Sequence, residues 1–206
     1  MYIPLPKLPD TILSMDISEI PPFILACILL LPGFTASAND MSFGKQKSAV
    51  CSTCHGLKGI SPFPSSPNLA GQDADYIVHQ LIAFKSGSRL NDTMQQISKS
   101  LTNDEMITLA NYYSRQSPEV TNNGGDPLLI RKGRDKYSLC WSCHGDNGEG
   151  PGSYPSVAGQ HSQYTIQQLK NFKDGARKNP VMKALVEVLS DDDMEALGAY
   201  IATLKP

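Results

Sequence analysis

The sequence predicts an all-α protein made of two homologous domains in tandem, and three observations lead to this prediction. Residues 67–113 align with residues 155–201 at a constant offset of 88, with 18 identities in 47 positions. Apolar residues recur at helical spacing in both segments, and no alternating apolar run is long enough for a sheet. The repeated unit is far longer than the roughly 20–50 residues of a solenoid repeat, which indicates a duplicated domain.

The composition is that of a soluble globular chain and excludes a strongly basic protein. Hydrophobic residues make up 40% of the 206 positions, charged residues 18%, and the formal net charge is −2. A nucleic-acid-binding domain normally carries an excess of Lys and Arg, so we expect no nucleic-acid partner. The small net charge also gives little long-range steering towards a strongly charged partner.

Residues 1–38 are predicted to be a signal peptide. The stretch "PPFILACILLLPGFTASA" (residues 21–38) is an apolar run followed by a small-residue A-x-A pattern. The run is short for a membrane-spanning helix, and the pattern predicts a secreted chain cleaved after Ala38. The residues before this run depart from the pattern of a signal peptide, because they are acidic where positive charge is normal. If the segment is retained, we expect it to associate with the membrane. A third alternative is a mis-assigned start, with Met15 as the true first residue.

The two domains are predicted at residues 39–117 and 127–206, joined by a linker at residues 118–126. The linker region is polar, contains Gly-Gly and lacks apolar periodicity. Asp126 followed by Pro127 is typical of a helix N-cap and first helical position. Three or four short helices with long Gly/Pro-rich loops form a thin core in each domain, so we expect a large apolar group at its centre.

The helices recur in the same order in both halves. Each half begins with a helix that ends at the cysteines, continues with an aromatic helix closed by glycine, and finishes with a helix that starts in a capping box. We expect them at about residues 40–53 and 127–142, 73–86 and 161–174, and from Thr102-x-x-Glu105 and Ser190-x-x-Asp193.

A C-x-x-C-H motif occurs once in each half, as "CSTCH" (51–55) and "CWSCH" (140–144). This motif is typical of c-type haem attachment, in which two cysteines form thioethers and the histidine binds the iron. Two alternatives are a zinc site shared by both pairs and a redox dithiol. The duplication favours one haem c per domain, because each motif has a complete domain of its own. The predicted residues are Cys51, Cys54, Cys140 and Cys143 as thioethers, and His55 and His144 as ligands.

A second axial ligand is predicted from the methionines that the two halves share. Met94 and Met182 lie in stretches that read as irregular, whereas Met106 and Met194 lie inside the last helices. Helical methionines are more often packing residues, so Met94 and Met182 are the expected iron ligands.

Other aligned residues are candidates for supporting the haem. A backbone carbonyl at Pro67 and Pro155 would accept a hydrogen bond from each ligand imidazole. Arg89 and Arg177 would pair with haem propionates, or alternatively are solvated arginines at helix ends. The unrepeated histidines, His79 and His161, are interpreted as surface or hydrogen-bonded polar residues.

From about residue 40 to its end, the chain resembles the two-haem class I cytochromes c of the cytochrome c4 type. The resemblance rests on "CSTCHG" and "CWSCHG", "NLAGQ" and "VAGQ", the repeated Y-x-x-x-Q-L-x-x-F-K-x-G-x-R helix, and the methionine that precedes "LTNDEM" or "LSDDDM". It implies that His55 pairs with Met94 and His144 with Met182. It also implies two cytochrome c-like domains around a pseudo-twofold axis, with haem propionates near their interface. A departure is that "RLNDTM" lacks the proline found in "NPVM".

The expected function is electron transfer and not enzymatic catalysis, because a methionine on each iron leaves no open coordination position. The resemblance implies a periplasmic carrier from a quinol-oxidising complex towards a terminal oxidase. The alternatives are a cytochrome subunit of a dehydrogenase or oxidase complex, and a dihaem enzyme such as a peroxidase or thiosulfate dehydrogenase.

Overall fold

The computed structural model describes residues 36–120 and 125–205, and this part of the chain is helical without a β-strand. Both halves belong to one compact unit, Ala38–Pro206. The N-terminal half contains α1 (Ala36–Lys47), α2 (Ala49–His55), α3 (Ala74–Ser86), α4 (Asp92–Ser100) and α5 (Asn103–Ser114). The C-terminal half contains α6 (Pro127–Lys136), a 3₁₀ turn (Tyr137–Leu139), α7 (Trp141–His144), α8 (Ser162–Lys173), α9 (Pro180–Glu187) and α10 (Asp191–Ile201).

The helices that precede the cysteines are broken, where the sequence predicted continuous ones. In the first half the break is at Ser48, whose hydroxyl donates to the Lys45 carbonyl at 2.8 Å. The Ser48 carbonyl accepts from the backbone N–H groups of both Cys51 and Ser52, which combines 3₁₀ and α-helical spacing. In the second half the 3₁₀ turn makes the same adjustment. The breaks separate the cysteine-bearing turns from the helices that pack in the core.

The first and last helices of each half cross closely at a glycine. A Cβ on Gly44 would lie 2.8 Å from Tyr112 Cβ, and one on Gly133 would lie 1.9 Å from the Ala196 carbonyl oxygen. Only a residue without a side chain allows the backbones to approach this closely.

The predicted helix starts are present. Thr102 with Glu105 and Ser190 with Asp193 form complete capping boxes at the starts of α5 and α10. Asp126 accepts a hydrogen bond from Leu128 N at 2.8 Å. These side chains satisfy backbone N–H groups that a helix leaves without intrahelical partners.

Met94 and Met182 lie in the first turns of α4 and α9, so the prediction that they occupy irregular stretches was wrong. Asn91 accepts from Met94 N and Asn179 accepts from Met182 N, both at 2.9 Å. An asparagine N-cap therefore starts a short helix three residues before each methionine.

Each half has its own hydrophobic core, and Met106 and Met194 are completely buried within them. This agrees with their interpretation as packing residues. The two cores are formed by Ile77, Leu81, Met106, Leu109, Ala110, Tyr112 and Tyr113, and by Tyr137, Leu169, Phe172, Val186, Leu189, Met194, Leu197, Ile201 and Leu204.

The predicted signal peptide lies outside the described residues, except that its last three residues begin α1. The central part of the predicted linker, residues 121–124, also lies outside them. In the described part of the chain, no helix has both the length and the apolar character needed to cross a bilayer.

Candidate haem sites

The C-x-x-C-H motifs form the last turn of a short helix in each half. α2 ends at His55 and α7 ends at His144, and a glycine in a conformation of positive φ follows each histidine. At Gly56, with φ of 76°, an added Cβ would lie 1.9 Å from the Ile60 carbonyl oxygen. The chain therefore reverses directly after the histidine, and the loop returns over it.

Each motif histidine is held by a backbone carbonyl from that returning loop. His55 Nδ1 lies 2.9 Å from the Pro67 carbonyl oxygen, and His144 Nδ1 lies 2.9 Å from the Pro155 carbonyl oxygen. A carbonyl only accepts hydrogen bonds, so Nδ1 carries the proton and Nε2 is left with its lone pair. Both expected contacts are thus present, and they select the tautomer that binds a metal through Nε2.

Burial favours the uncharged form of both motif histidines and of the first cysteine in each motif. It lowers the pKa of His55 and of His144, and the proline carbonyls only partly oppose this effect. Burial also raises the pKa of the Cys140 thiol to about 11 and raises the pKa of Cys51. An apolar environment disfavours the charged form of each group. The sites therefore provide neutral imidazoles, the form that binds iron.

The described residues fit two haem groups. None of Cys51, Cys54, Cys140 and Cys143 is paired in a disulfide. They line one cavity of about 960 Å³, together with His55 and His144. Much of its wall is apolar, with Leu81, Phe84, Leu109, Leu169, Phe172 and Leu197 among the lining residues. A large slot with apolar walls and two thiols beside each imidazole matches the chemistry of a covalently attached porphyrin.

The shared zinc site that the sequence left open is not supported. Within residues 36–120 and 125–205, no three His, Cys, Asp or Glu side chains come together to hold a metal ion. Each cysteine pair instead has its own histidine, in its own half.

Met94 and Met182 line the same cavity as the motif histidines. Both are partly buried, and they pack against the cores of the N-terminal and C-terminal halves respectively. In each half the methionine is thus brought from a separate helix to the cavity that its motif histidine also lines.

Arg89 and Arg177 are buried at the contact between the halves, with 6% and 8% of their surface exposed. This excludes the alternative of solvated helix-end arginines. Arg89 donates to Tyr164 Oη and Gln168 Oε1, both at 2.7 Å, and it also donates to Gln80 of its own half. The guanidinium also lies over the Phe84 ring, 4.4 Å from its centroid.

Arg177 makes the equivalent contacts with the two halves exchanged. It donates to Tyr76 Oη and to Gln80 Oε1 of the N-terminal half and to Gln168 of its own half. Its guanidinium lies 4.4 Å from the centroid of the Phe172 ring. Reciprocal contacts of this kind define the pseudo-twofold relationship between the halves.

The polar residues of this contact were not identified from the sequence. They are Gln72 and Gln160, Tyr76 and Tyr164, and Gln80 and Gln168, and the repeat aligns each pair. Identical polar residues in two diverged halves were the available signal, but a repeat alone does not show that the two copies contact each other. His161 is buried and its Nε2 lies 3.0 Å from the Ser61 carbonyl oxygen, whereas His79 is exposed.

Comparison with known proteins places these features in a family. The sequence model of the cytochrome c family matches residues 130–205. A cytochrome c4 from Azotobacter vinelandii is 33% identical over 207 residues, covering 87% of this chain and 98% of that protein. A thiosulfate dehydrogenase electron acceptor from Stutzerimonas stutzeri (strain A1501) is 34% identical over 170 residues, covering 75% of this chain and 79% of that protein.

Among solved structures, the crystal structure of reduced recombinant cytochrome c4 from Pseudomonas stutzeri has a TM-score of 0.75 and 33% identity. The alignment covers 80% of this chain and 98% of that one. Fold and site together define a c-type electron-transfer cytochrome with two cytochrome c domains and two covalently bound haem c groups. The chain belongs to the cytochrome c4 family.

Proposed function

We propose that this protein carries electrons in the periplasm from a quinol-oxidising complex towards a terminal oxidase. The mature protein would begin after Ala38, with domains at residues 39–117 and 127–206 and a linker at residues 118–126. In this proposal His55 and Met94 would bind the iron of one haem, and His144 and Met182 would bind the iron of the other. Haem c supplies reversible one-electron chemistry at iron when it is bound.

The electron-carrier role in this proposal rests on the single cavity shared by both sites, and the proposed route rests on membership of the cytochrome c4 family. The cavity is lined by the two cysteine pairs, by both motif histidines and by both methionines. Adjoining sites allow an electron to enter at one domain and leave at the other. A histidine and a methionine available in each half favour a carrier over an enzyme, because a catalytic haem needs an open coordination position.

The buried arginines support the same arrangement. Arg89 and Arg177 bring two positive charges to the wall of the cavity, and the partners described above are neutral amides and phenols. A buried charge is costly without a counter-charge. We propose that haem propionates provide it at this contact between the domains.

Rapid-mixing kinetics with membranes that contain each complex would test the proposed route. The holoprotein should be reduced by the quinol-oxidising membranes and reoxidised by the oxidase membranes within the turnover time of each complex. Reduction much slower than turnover would contradict the proposed donor, and slow reoxidation would contradict the proposed acceptor. An absorption spectrum of the oxidised protein tests the ligation, because a methionine–iron band from both haems is expected.

A second candidate donor is a thiosulfate dehydrogenase. The observation in its favour is the 34% identity to a protein named as the electron acceptor of that enzyme. The same kinetic experiment distinguishes the two routes when purified thiosulfate dehydrogenase and thiosulfate replace the quinol-oxidising membranes. Rapid reduction in this arm alone would favour the second route.

A further inference from the structure

Two glutamines bind the backbone of the opposite domain in the same way. Gln160 accepts from Asn68 N at 2.9 Å and donates to Asn68 O at 3.1 Å. Gln72 accepts from Ser156 N at 3.0 Å and donates to Ser156 O at 2.8 Å. Each primary amide therefore holds one residue of the other domain by both its N–H and its carbonyl group.

Asn68 and Ser156, which the glutamines bind, directly follow Pro67 and Pro155. The carbonyl groups of these two prolines accept hydrogen bonds from the motif histidines. The carbonyl of Pro67 and the N–H of Asn68 belong to one peptide group, as do the carbonyl of Pro155 and the N–H of Ser156. In the first group the carbonyl accepts from His55 Nδ1 while the N–H donates to Gln160. In the second, the carbonyl accepts from His144 Nδ1 while the N–H donates to Gln72.

Each histidine is thus connected by two consecutive hydrogen bonds to a glutamine of the opposite domain. Hydrogen bonds in a chain polarise one another, and this effect is stronger where water is excluded. When the glutamine oxygen accepts the peptide N–H, the peptide carbonyl becomes a stronger acceptor. The imidazole N–H is then held more firmly, and Nε2 becomes a more basic metal ligand.

The glutamine side chains are themselves fixed in position. Gln72 is buried with 9% of its surface exposed, and Gln160 is partly buried. Gln72 Oε1 also accepts from Asp73 N at 3.0 Å, and Gln160 Oε1 also accepts from His161 N at 3.1 Å. Each glutamine oxygen therefore accepts two hydrogen bonds. One comes from the backbone N–H just before α3 or α8 of its own domain, and the other comes from the peptide group that supports the motif histidine of the other domain.

We propose that Gln72 and Gln160 are positioning residues that act across the domain interface. Gln160 tunes the iron ligand His55, and Gln72 tunes the iron ligand His144. A more basic imidazole stabilises the oxidised iron, so each glutamine lowers the reduction potential of the haem in the opposite domain. Contact between the domains thereby contributes to both potentials.

The test is a redox titration of each holoprotein variant, with the two haems resolved by NMR and assigned from Met94→Ala and Met182→Ala. We expect Gln160→Leu to raise the potential of the haem at His55 and to weaken the hydrogen bond at His55 Nδ1–H, seen as a changed NMR shift of that proton. Gln72→Leu should do the same at His144. Equal shifts at both haems, a shift at the haem of the mutated domain, or no shift would each overturn the proposal.

His161→Ala is the control for a loosened interface, because it removes the domain–domain hydrogen bond to Ser61 O but keeps the backbone N–H that donates to Gln160 Oε1. We expect it to change the two potentials much less than Gln160→Leu changes the potential at His55, and an equal change at His55 would contradict the proposal. If the leucine variants do not incorporate haem, Gln160→Glu and Gln72→Glu keep a stronger acceptor for the N–H groups of Asn68 and Ser156, and lose the donor to the carbonyl groups of the same residues. They should lower the potential at the crossed haem more than at the other, and equal lowering would contradict the proposal. The readout does not involve a redox partner, so it stands or fails separately from the proposed electron route.

Discussion

Arg89 and Arg177 meet as an isolated antiparallel backbone bridge between the two domains. Neighbouring backbone bonds extend it, from Leu90 N to Ala176 O at 2.8 Å and from Lys178 N to Ser88 O at 3.0 Å. The bridge aligns the two guanidinium groups so that each reaches a tyrosine and a glutamine of the opposite domain. Backbone and side chains therefore define the same interface at the wall of the haem cavity.

Replacement of Arg89 by methionine should weaken this interface. The change leaves Tyr164 Oη without its buried donor, whereas Gln168 keeps its hydrogen bond from Arg177, and an unsatisfied buried polar group costs about 1–3 kcal/mol. We expect the free energy of unfolding to fall by about 1–3 kcal/mol, measured by denaturant titration of the holoprotein. The exposed Arg131 provides the control, because Arg131→Met should change stability by less than about 0.5 kcal/mol. Equal effects of the two substitutions would contradict the importance of the arginine contacts.

Met94→Ala and Met182→Ala should each remove the methionine–iron band of one haem. The expected result is loss of about half of that band in either single variant and of the whole band in the double variant. The potential of the affected haem should fall, since methionine ligation raises it. Absorption spectroscopy and redox titration provide the measurements.

Met106→Leu is the control for the ligand assignment. Met106 is completely buried in the core, and a volume-conserving substitution usually costs less than about 1.5 kcal/mol. The spectrum should keep the full band. Loss of the band in Met106→Leu, with its retention in Met94→Ala, would reverse the assignment.

The sequence was sufficient for features that depend on local chemistry. The capping boxes, the N-cap at Asp126 and the proline carbonyls behind the histidines follow from residue type and spacing. The helices that begin at Asp92 and Pro180 were missed because their apolar periodicity is short, although Asn91 and Asn179 carried an N-cap signal. The glutamine and arginine contacts depend on how one copy of the repeat faces the other, and local patterns do not encode that orientation.

Gly133→Ala should destabilise the C-terminal domain strongly. Its Cβ would lie 1.9 Å from the Ala196 carbonyl oxygen, and backbone atoms cannot yield as a flexible side chain does. We expect a loss of about 3 kcal/mol, at the upper end of the usual cost of overpacking. Thermal or denaturant unfolding of the holoprotein measures it.

Gly152→Ala is the comparison for this effect. Gly152 has φ of 70° but no atom within 4 Å of an added Cβ. Its substitution involves only the unfavourable left-handed conformation, which costs roughly 1–2 kcal/mol. If Gly133→Ala lowers the free energy of unfolding no more than Gly152→Ala does, the crossing of α6 and α10 adjusts easily and the prediction is wrong.

Acid should weaken the starts of the last helices through their capping boxes. Lys47 Nζ donates to Glu105 Oε1 at 2.5 Å, and the backbone N–H of Thr102 donates to the same carboxylate. These two hydrogen bonds lower the pKa of Glu105 to about 2. The backbone N–H of Ser190, together with Lys136 and Lys132, lowers the pKa of Asp193. Both carboxylates are therefore better stabilised when ionised in the folded protein than in the unfolded chain.

The sign of the pH dependence follows from these lowered pKa values. A group with a lowered folded-state pKa contributes stability above its unfolded-state pKa, which is 4.5 for Glu105, and loses it as the pH falls towards 2. We therefore expect Glu105→Gln to be less stable than the unsubstituted protein above about pH 5, with the difference shrinking as the pH falls towards about 2. Unfolding titrations across this range measure the difference, and subtraction removes acid effects common to both proteins, including those at the haem ligands. The exposed Glu119→Gln should show a much smaller difference, and a Glu105→Gln difference independent of pH would contradict the role of the charge.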